Sequence, residues 1–176
     1  MTEKTRVAVL YGGRSTEHSV SCVSAGAIMK HLDPEKFEVV PIGITREGTW
    51  TPGDTEGLEI VDGVMPEVKR GTELALSADP TRKGEIRAIS DGSLYAQVDV
   101  IFPILHGPYG EDGTMQGLFE LSGIPYVGPG VLASSVGMDK EFTKKILSAA
   151  GLPVAPEVIV QGRMELTAEE KERLGL

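Results

Sequence analysis

The sequence predicts an α/β fold: one open, mainly parallel sheet, followed from residue 138 by the beginning of a second domain. Three observations carry this reading. RVAVLY at residues 6–11, a helix-periodic segment, and FEVVPIGI at 37–44 form a βαβ unit, which implies parallel strands and a right-handed crossover. VDVIFPIL at 98–105 is a nearly continuous apolar run, the pattern of a central parallel strand buried on both faces. After residue 138 come two helical patterns and one short apolar run, too little to build a core alone.

The elements follow in order. Gly12 and Gly13 end the first strand in a turn. From Ser19, apolar Val20, Val23, Ala27, Ile28 and Leu32 recur at helical spacing until Asp33 and Pro34 stop them. Residues 45–97 are rich in Gly, Asp, Glu and Thr; short strands are expected near Trp50, at 58–61, 85–89 and 94–97, with turns at REG and SDG. A helix from Thr114 to Ser122 ends at Gly123, IPYVG reads as a short strand, and GPGVLASSVG as a turn with small residues. Asp139 is the expected N-cap of a helix to Ala150, with Glu141 and Lys145 paired at i,i+4. VAPEVIV at 154–160 is expected as a strand, and Thr167 with Glu170 forms a capping box for a last helix ended by Gly175.

Composition narrows the function. Hydrophobic residues make up 40% and charged residues 24%, as in ordinary globular domains. A net charge of -9 without a basic stripe argues against a nucleic-acid partner, since such binding leans on dense Lys and Arg. No run approaches the roughly 20 apolar residues of a membrane span, and the N-terminal apolar run is too short for a signal peptide, which points to the cytoplasm. Cys22, the single cysteine, is expected as a small buried hydrophobe in a helix.

Three segments carry candidate chemistry. LYGGRSTEHSVS, 10–21, has two glycines before a helix but lacks the third glycine or the lysine of known phosphate loops. Glu17 stands where a phosphate would sit. A carboxylate at the positive end of a helix is stabilised there; it repels phosphate and attracts an ammonium, unless it merely caps the dipole. HGPYGEDGTMQG, 106–117, follows another parallel strand, and ligands of open α/β sheets bind at the carboxyl ends of such strands. His106, Glu111 and Asp112 there are acid-base or metal candidates, although with His18 they lack tight ligand spacing; a solvated turn is the plainer alternative. Lys140 and Lys144 share a face of the helix after Asp139. A lysine in a first turn is locally unfavourable and makes more sense when an anion arrives.

In series, GGRSTEHSVS, FPILHGPYGEDGTMQG and GIPYVGPGVLASSVGMDKEFTKKILSAAGLPVAPEVIV closely resemble the D-alanine-D-alanine ligase family, over essentially the whole chain and most like its actinobacterial members. The resemblance implies an ATP-grasp enzyme. Residues 1–137 would be its Rossmann-like N-terminal substrate-binding (pre-ATP-grasp) domain, and 138–176 the beginning of its central domain. It implies an ATP- and Mg2+- or Mn2+-dependent reaction joining two D-alanines for peptidoglycan through an acyl phosphate, often in a homodimer. By position, Glu17 matches the residue that holds the first D-alanine's ammonium, Val20 and Ser21 match residues beside that pocket, His106 matches the histidine that orients the same substrate, and Lys140 matches a lysine on the nucleotide side. The family's later ATP lysine, its lid and its metal ligands have no counterpart in these 176 residues, so the chain alone is expected to be inactive. Two alternatives stay open: a non-catalytic binding or dimerisation module, and a ligase that joins D-alanine to D-lactate or D-serine.

Overall fold

The computed structural model describes residues 3–160, 162–163 and 165–176. They form two compact units, Met1–Ser135 and Val136–Leu176. In the first, strands β1 (Thr5–Gly12), β2 (Phe37–Ile44), β3 (Trp50–Pro52), β4 (Leu74–Leu76), β5 (Glu85–Ala88), β6 (Leu94–Gln97) and β7 (Val100–Pro103) make one sheet in the order β6-β5-β4-β3-β2-β1-β7. The open α/β sheet is therefore present, with a finer division than the sequence suggested. β1 lies between β2 and β7 and is parallel to both, so β7 is an edge strand and not the central one its apolar run suggested, and every pairing beyond β2 is antiparallel. Short turns cannot reverse a chain into a parallel neighbour, so the segment after Ile44 extends the sheet as hairpins.

Those hairpins use the predicted turns. At Arg46-Glu47-Gly48, Gly48 takes φ 98°, and Thr45 N donates to Thr49 O at 2.9 Å. At Ser90-Asp91-Gly92, Ala88 N donates to Ser93 O at 3.0 Å. β4 carries no signal beyond Leu-Ala-Leu, too short to show its period. Residues 58–61 are not a strand: Leu58 plugs against helix α1 (His18–His31), and a tight turn through Asp62 and Gly63, both at positive φ, joins Val61 to Val64. IPYVG contributes only a parallel bridge from Tyr126 to Ile101.

Alternation along β1 builds a core on each side. Ala8 and Leu10 join Ile42, Ile86, Ile101 and Phe119 under helix α2 (Thr114–Ser122). Val7, Val9 and Tyr11 join Cys22, Ala25, Met29 and Leu58 under α1. The buried side of α1 is not the Val20-Ala27 stripe that the spacing suggested. It is Ser21, Cys22, Ala25, Gly26 and Met29, mostly small residues that let the helix approach the sheet. A Cβ on Gly26 would stand 2.8 Å from Leu58 Cβ. Val20 is left 48% exposed.

Cys22 is the buried free thiol expected, and burial pushes it from 9.0 to about 11. Burial likewise raises the neighbouring Tyr11 phenol from 10.0 to about 12, although its hydrogen bond with the Asp54 backbone opposes this. Both groups keep their protons in the folded state after the unfolded chain has lost them. Stability should therefore hold below pH 9, then fall as pH rises through 11 for Cys22 and 12 for Tyr11. Urea unfolding across this range checks it: Cys22→Ala should flatten the earlier part of the decline, and an unchanged slope would contradict the assignment.

Helix α3 (Val131–Met138) occupies the segment expected to be a turn. Gly130 O accepts from Ser134 N, and Pro129 O from the buried Ser134 hydroxyl, which supplies the helix start that small-residue composition concealed. In the second unit, helix α4 (Lys140–Ala149) is capped by Asp139, which accepts from Phe142 N at 3.0 Å, and carries the predicted Glu141–Lys145 pair. Helix α5 (Ala168–Leu174) has both halves of its capping box and ends at left-handed Gly175. Residues 154–160 form no strand, because the described residues of this unit offer no neighbouring strand to pair with. They run beside α4, where Lys144 meets Ala155 O and, at 3.1 Å, Glu157.

Candidate functional site

The site begins where β1 ends. Gly12 and Gly13 both adopt left-handed φ, at 89° and 92°. A side chain at Gly12 would strike the Ile44 carbonyl, so glycine is required there by space as well as by conformation. Gly13 N donates to Ile44 O at 2.8 Å, tying the turn to β2, and Glu17 N donates to the buried Ser15 hydroxyl at 3.1 Å.

Glu17 occupies the N-cap position of α1, just before the first turn. Its side chain caps nothing. Among the described residues it has neither a hydrogen bond nor an ion pair, and the carboxylate instead reaches the second loop. A Cβ built on Gly107 would stand 2.5 Å from Glu17 Oε2 and 3.2 Å from Ser15 Cβ. This unpaired carboxylate, lying on the backbone of the His106-Gly107 turn, brings the two candidate loops to one place and disfavours the cap explanation.

Along α1, Val20 and Ser24 lie on the same face as Glu17, at i+3 and i+7. His106 is half-buried, and its Nε2 stands 3.4 Å from Ser24 Oγ, so the imidazole borders that face. Glu17, Val20 and His106 thus converge. Ser21 does not join them. It is fully buried; its hydroxyl accepts from Gly12 N at 2.8 Å and donates to Ile104 O, which clamps the ends of β1 and β7. One residue beyond Val20 is a rotation of about 100°, enough to turn Ser21 into the core. Ser21 is thus committed to the core, beneath the helix face that carries Val20.

The second loop is held from within. Glu111 accepts from Gly107 N at 2.6 Å while its own N–H donates to Gly107 O at 2.9 Å. Asp112 accepts from Tyr109 N, Thr114 N and Thr114 Oγ1. Partial burial pushes its carboxyl upward, but these bonds together hold it below the usual range. Gln116 Nε2 donates to Gly110 O at 3.0 Å. Glu111 and Asp112 are therefore loop braces, and the described residues contain no group of three or more His, Cys, Asp or Glu placed to hold a metal.

His18 is the residue that sequence reasoning missed except as a metal candidate. It is fully buried; Nε2 accepts from Val68 N at 3.0 Å, and Nδ1, which must then carry the proton, donates to Gly13 O at 2.7 Å. It pins the β3–β4 connection to the glycine turn. Only the long-range fold could reveal this, because the partners lie 5 and 50 positions away. In the second unit, Lys140 is exposed at the start of α4 without an ion pair among the described residues, whereas Lys144 is occupied by Glu157.

A sheet covered on both faces, with glycine-rich loops at the carboxyl ends of β1 and β7, defines an open α/β domain. Residues 6–129 match the family model of the D-ala D-ala ligase N-terminus, and the chain belongs to that family. It is 68% identical to a D-alanine--D-alanine ligase of Corynebacterium aurimucosum over 100% of this chain and 50% of that protein. The chain thus spans about half the length of the curated relatives it matches. Among solved structures it is similar to the VanG D-Ala:D-Ser ligase of Enterococcus faecalis, with TM-score 0.73, 38% identity, and 88% of this chain and 44% of that one covered. A further match is the D-alanine--D-alanine ligase of Bacillus anthracis complexed with ATP, with TM-score 0.63, 28% identity, and 99% and 44% covered.

Proposed function

We propose that this chain is the N-terminal half of an ATP-dependent ligase that joins two D-alanines into D-alanyl-D-alanine in the cytoplasm, for the cell wall. The observation that carries the reading is the unpaired Glu17 carboxylate on the Gly107 turn, with exposed Val20 and half-buried His106 beside it. A carboxylate takes an ammonium, Val20 takes a methyl group, and the imidazole orients the remaining end of a small amino acid. With the ammonium held by Glu17, the substrate carboxylate is free to be phosphorylated. The resulting acyl phosphate is open to attack by the amine of a second D-alanine, releasing phosphate. Magnesium would supply charge neutralisation at the transferring phosphoryl group.

Lys140 is the residue of this chain assigned to the nucleotide. A compact ammonium at the start of α4 is costly beside the helix's positive end and is compensated when a phosphate meets it. Lys140→Ala in the full-length protein should raise the KM for ATP about tenfold with little change for D-alanine; a change confined to D-alanine would refute the assignment.

The reading itself is tested by D-alanine-dependent release of ADP from ATP by the full-length protein. Absence of turnover there would overturn it. The 176 residues alone should bind D-alanine in calorimetry, lose that heat in Glu17→Gln, and turn over nothing. The likeness to a D-Ala:D-Ser ligase favours one further reading, in which D-serine is the second substrate. Product analysis with D-alanine and D-serine together distinguishes the two.

A further inference from the structure

The substrate reading leaves Arg14 unused, although it stands in the same loop as Glu17. Six of the eight arginines, Arg6, Arg46, Arg70, Arg82, Arg87 and Arg163, meet a carboxylate; Arg14 meets none among the described residues. Its guanidinium lies over the Tyr109 ring, 4.3 Å from the centroid. The stem packs on Gly48, where an added Cβ would come within 2.9 Å of Arg14 Cδ. Tyr109 is held in turn: it has φ 64°, uncommon for a residue with a side chain, and its N–H donates to Asp112 at 2.9 Å. A guanidinium stacked on one side and packed along its stem is preorganised, with its donor edge left for an anion.

Beside it opens a cavity of about 220 Å³. Ile44, Trp50, Leu105, Met115 and Leu118 supply apolar walls, and Arg14 is the one charged side chain of the lining, which contains no carboxylate. Neither Glu17, Val20 nor His106 belongs to it. In a chain of net charge -9, a neutral-walled cavity with a lone cation selects against ammonium and for a single carboxylate on an apolar body. The volume lies below that of drug-sized sites, and suits on the order of ten heavy atoms.

We propose that this cavity is a second ligand site, which takes a small monocarboxylate with an aromatic or branched apolar body, its carboxylate paired with Arg14. An α-amino acid is a poor ligand here, because the lining holds no carboxylate to pair with its ammonium. The site is thus separate from the one assigned to D-alanine.

Trp50 lines the cavity and is the only tryptophan of the chain, so its fluorescence reports occupancy directly. Titration of the 176-residue chain with 3-phenylpropanoate should give a saturable change, with half-saturation at or below about 1 mM. The neutral 3-phenylpropanamide should bind about tenfold more weakly. Arg14→Gln should abolish that difference, and Arg14→Lys, which keeps the charge without the planar fork, should fall between. Unaltered urea midpoints confirm that the variants fold. Equal binding of acid and amide, no effect of Arg14→Gln, absence of saturation, or reversal of the 3-phenylpropanoate signal by equimolar D-alanine would each overturn the proposal.

Discussion

Replacing Glu17 with alanine in the full-length protein should raise the KM for D-alanine at the first site by about tenfold or more while leaving the unfolding midpoint where it is. The two halves of this expectation have separate grounds. The side chain is exposed and forms no hydrogen bond or ion pair among the described residues, so its removal costs the fold no contact. Its carboxylate lies on the Gly107 turn, where the proposed reaction has it receive the substrate ammonium. Glu17→Gln keeps the size and removes the charge, and it should be nearly as impaired if charge is what binds. Steady-state kinetics with either variant matching the parent would remove the anchor from the proposed reaction.

His18→Ala is expected to act in the opposite manner, through stability first. It leaves the half-buried Gly13 carbonyl and Val68 amide without partners and opens a cavity beside α1. The vacated ring and the two part-buried groups left unpaired should together cost about 2–4 kcal/mol in urea unfolding. The Val68 amide should also exchange its hydrogen faster, since the β3–β4 connection loses its tether. Weaker D-alanine binding should follow, because Gly13 positions the loop that carries Glu17. A variant with the parent's midpoint would show that the imidazole is not the pin.

Much of this was legible in the sequence because it is local. β2 matches 37–44, and α2 matches Thr114–Ser122, since apolar runs and period fix such elements. Asp139 and the Thr167/Glu170 box cap their helices as expected, because a cap involves residues only two or three apart. The electrostatic reading of Glu17 also needed only its place before a helix. The errors share a cause. β4 is three residues long, 154–160 has the composition of a strand without a partner, and GPGVLASSVG is a helix started by backbone carbonyls. Each outcome depends on what lies alongside.

The sequence by itself determined the βαβ frame, the position of two glycine-rich loops after parallel strands, and the charge type that one of them presents. Periodicity and turn chemistry act over a few residues, and those features need nothing more. The tertiary structure decided which neighbours in sequence stay exposed and which face the core. Val20 and Ser21 are adjacent, yet one is open and the other clamps β1 to β7, because close packing of α1 on the sheet admits only the smaller side chain. Contact between Glu17 and the turn 90 residues later, the tether from His18 to Val68, and the cavity beside Arg14 all arise from strands brought side by side, a relation that no local pattern encodes.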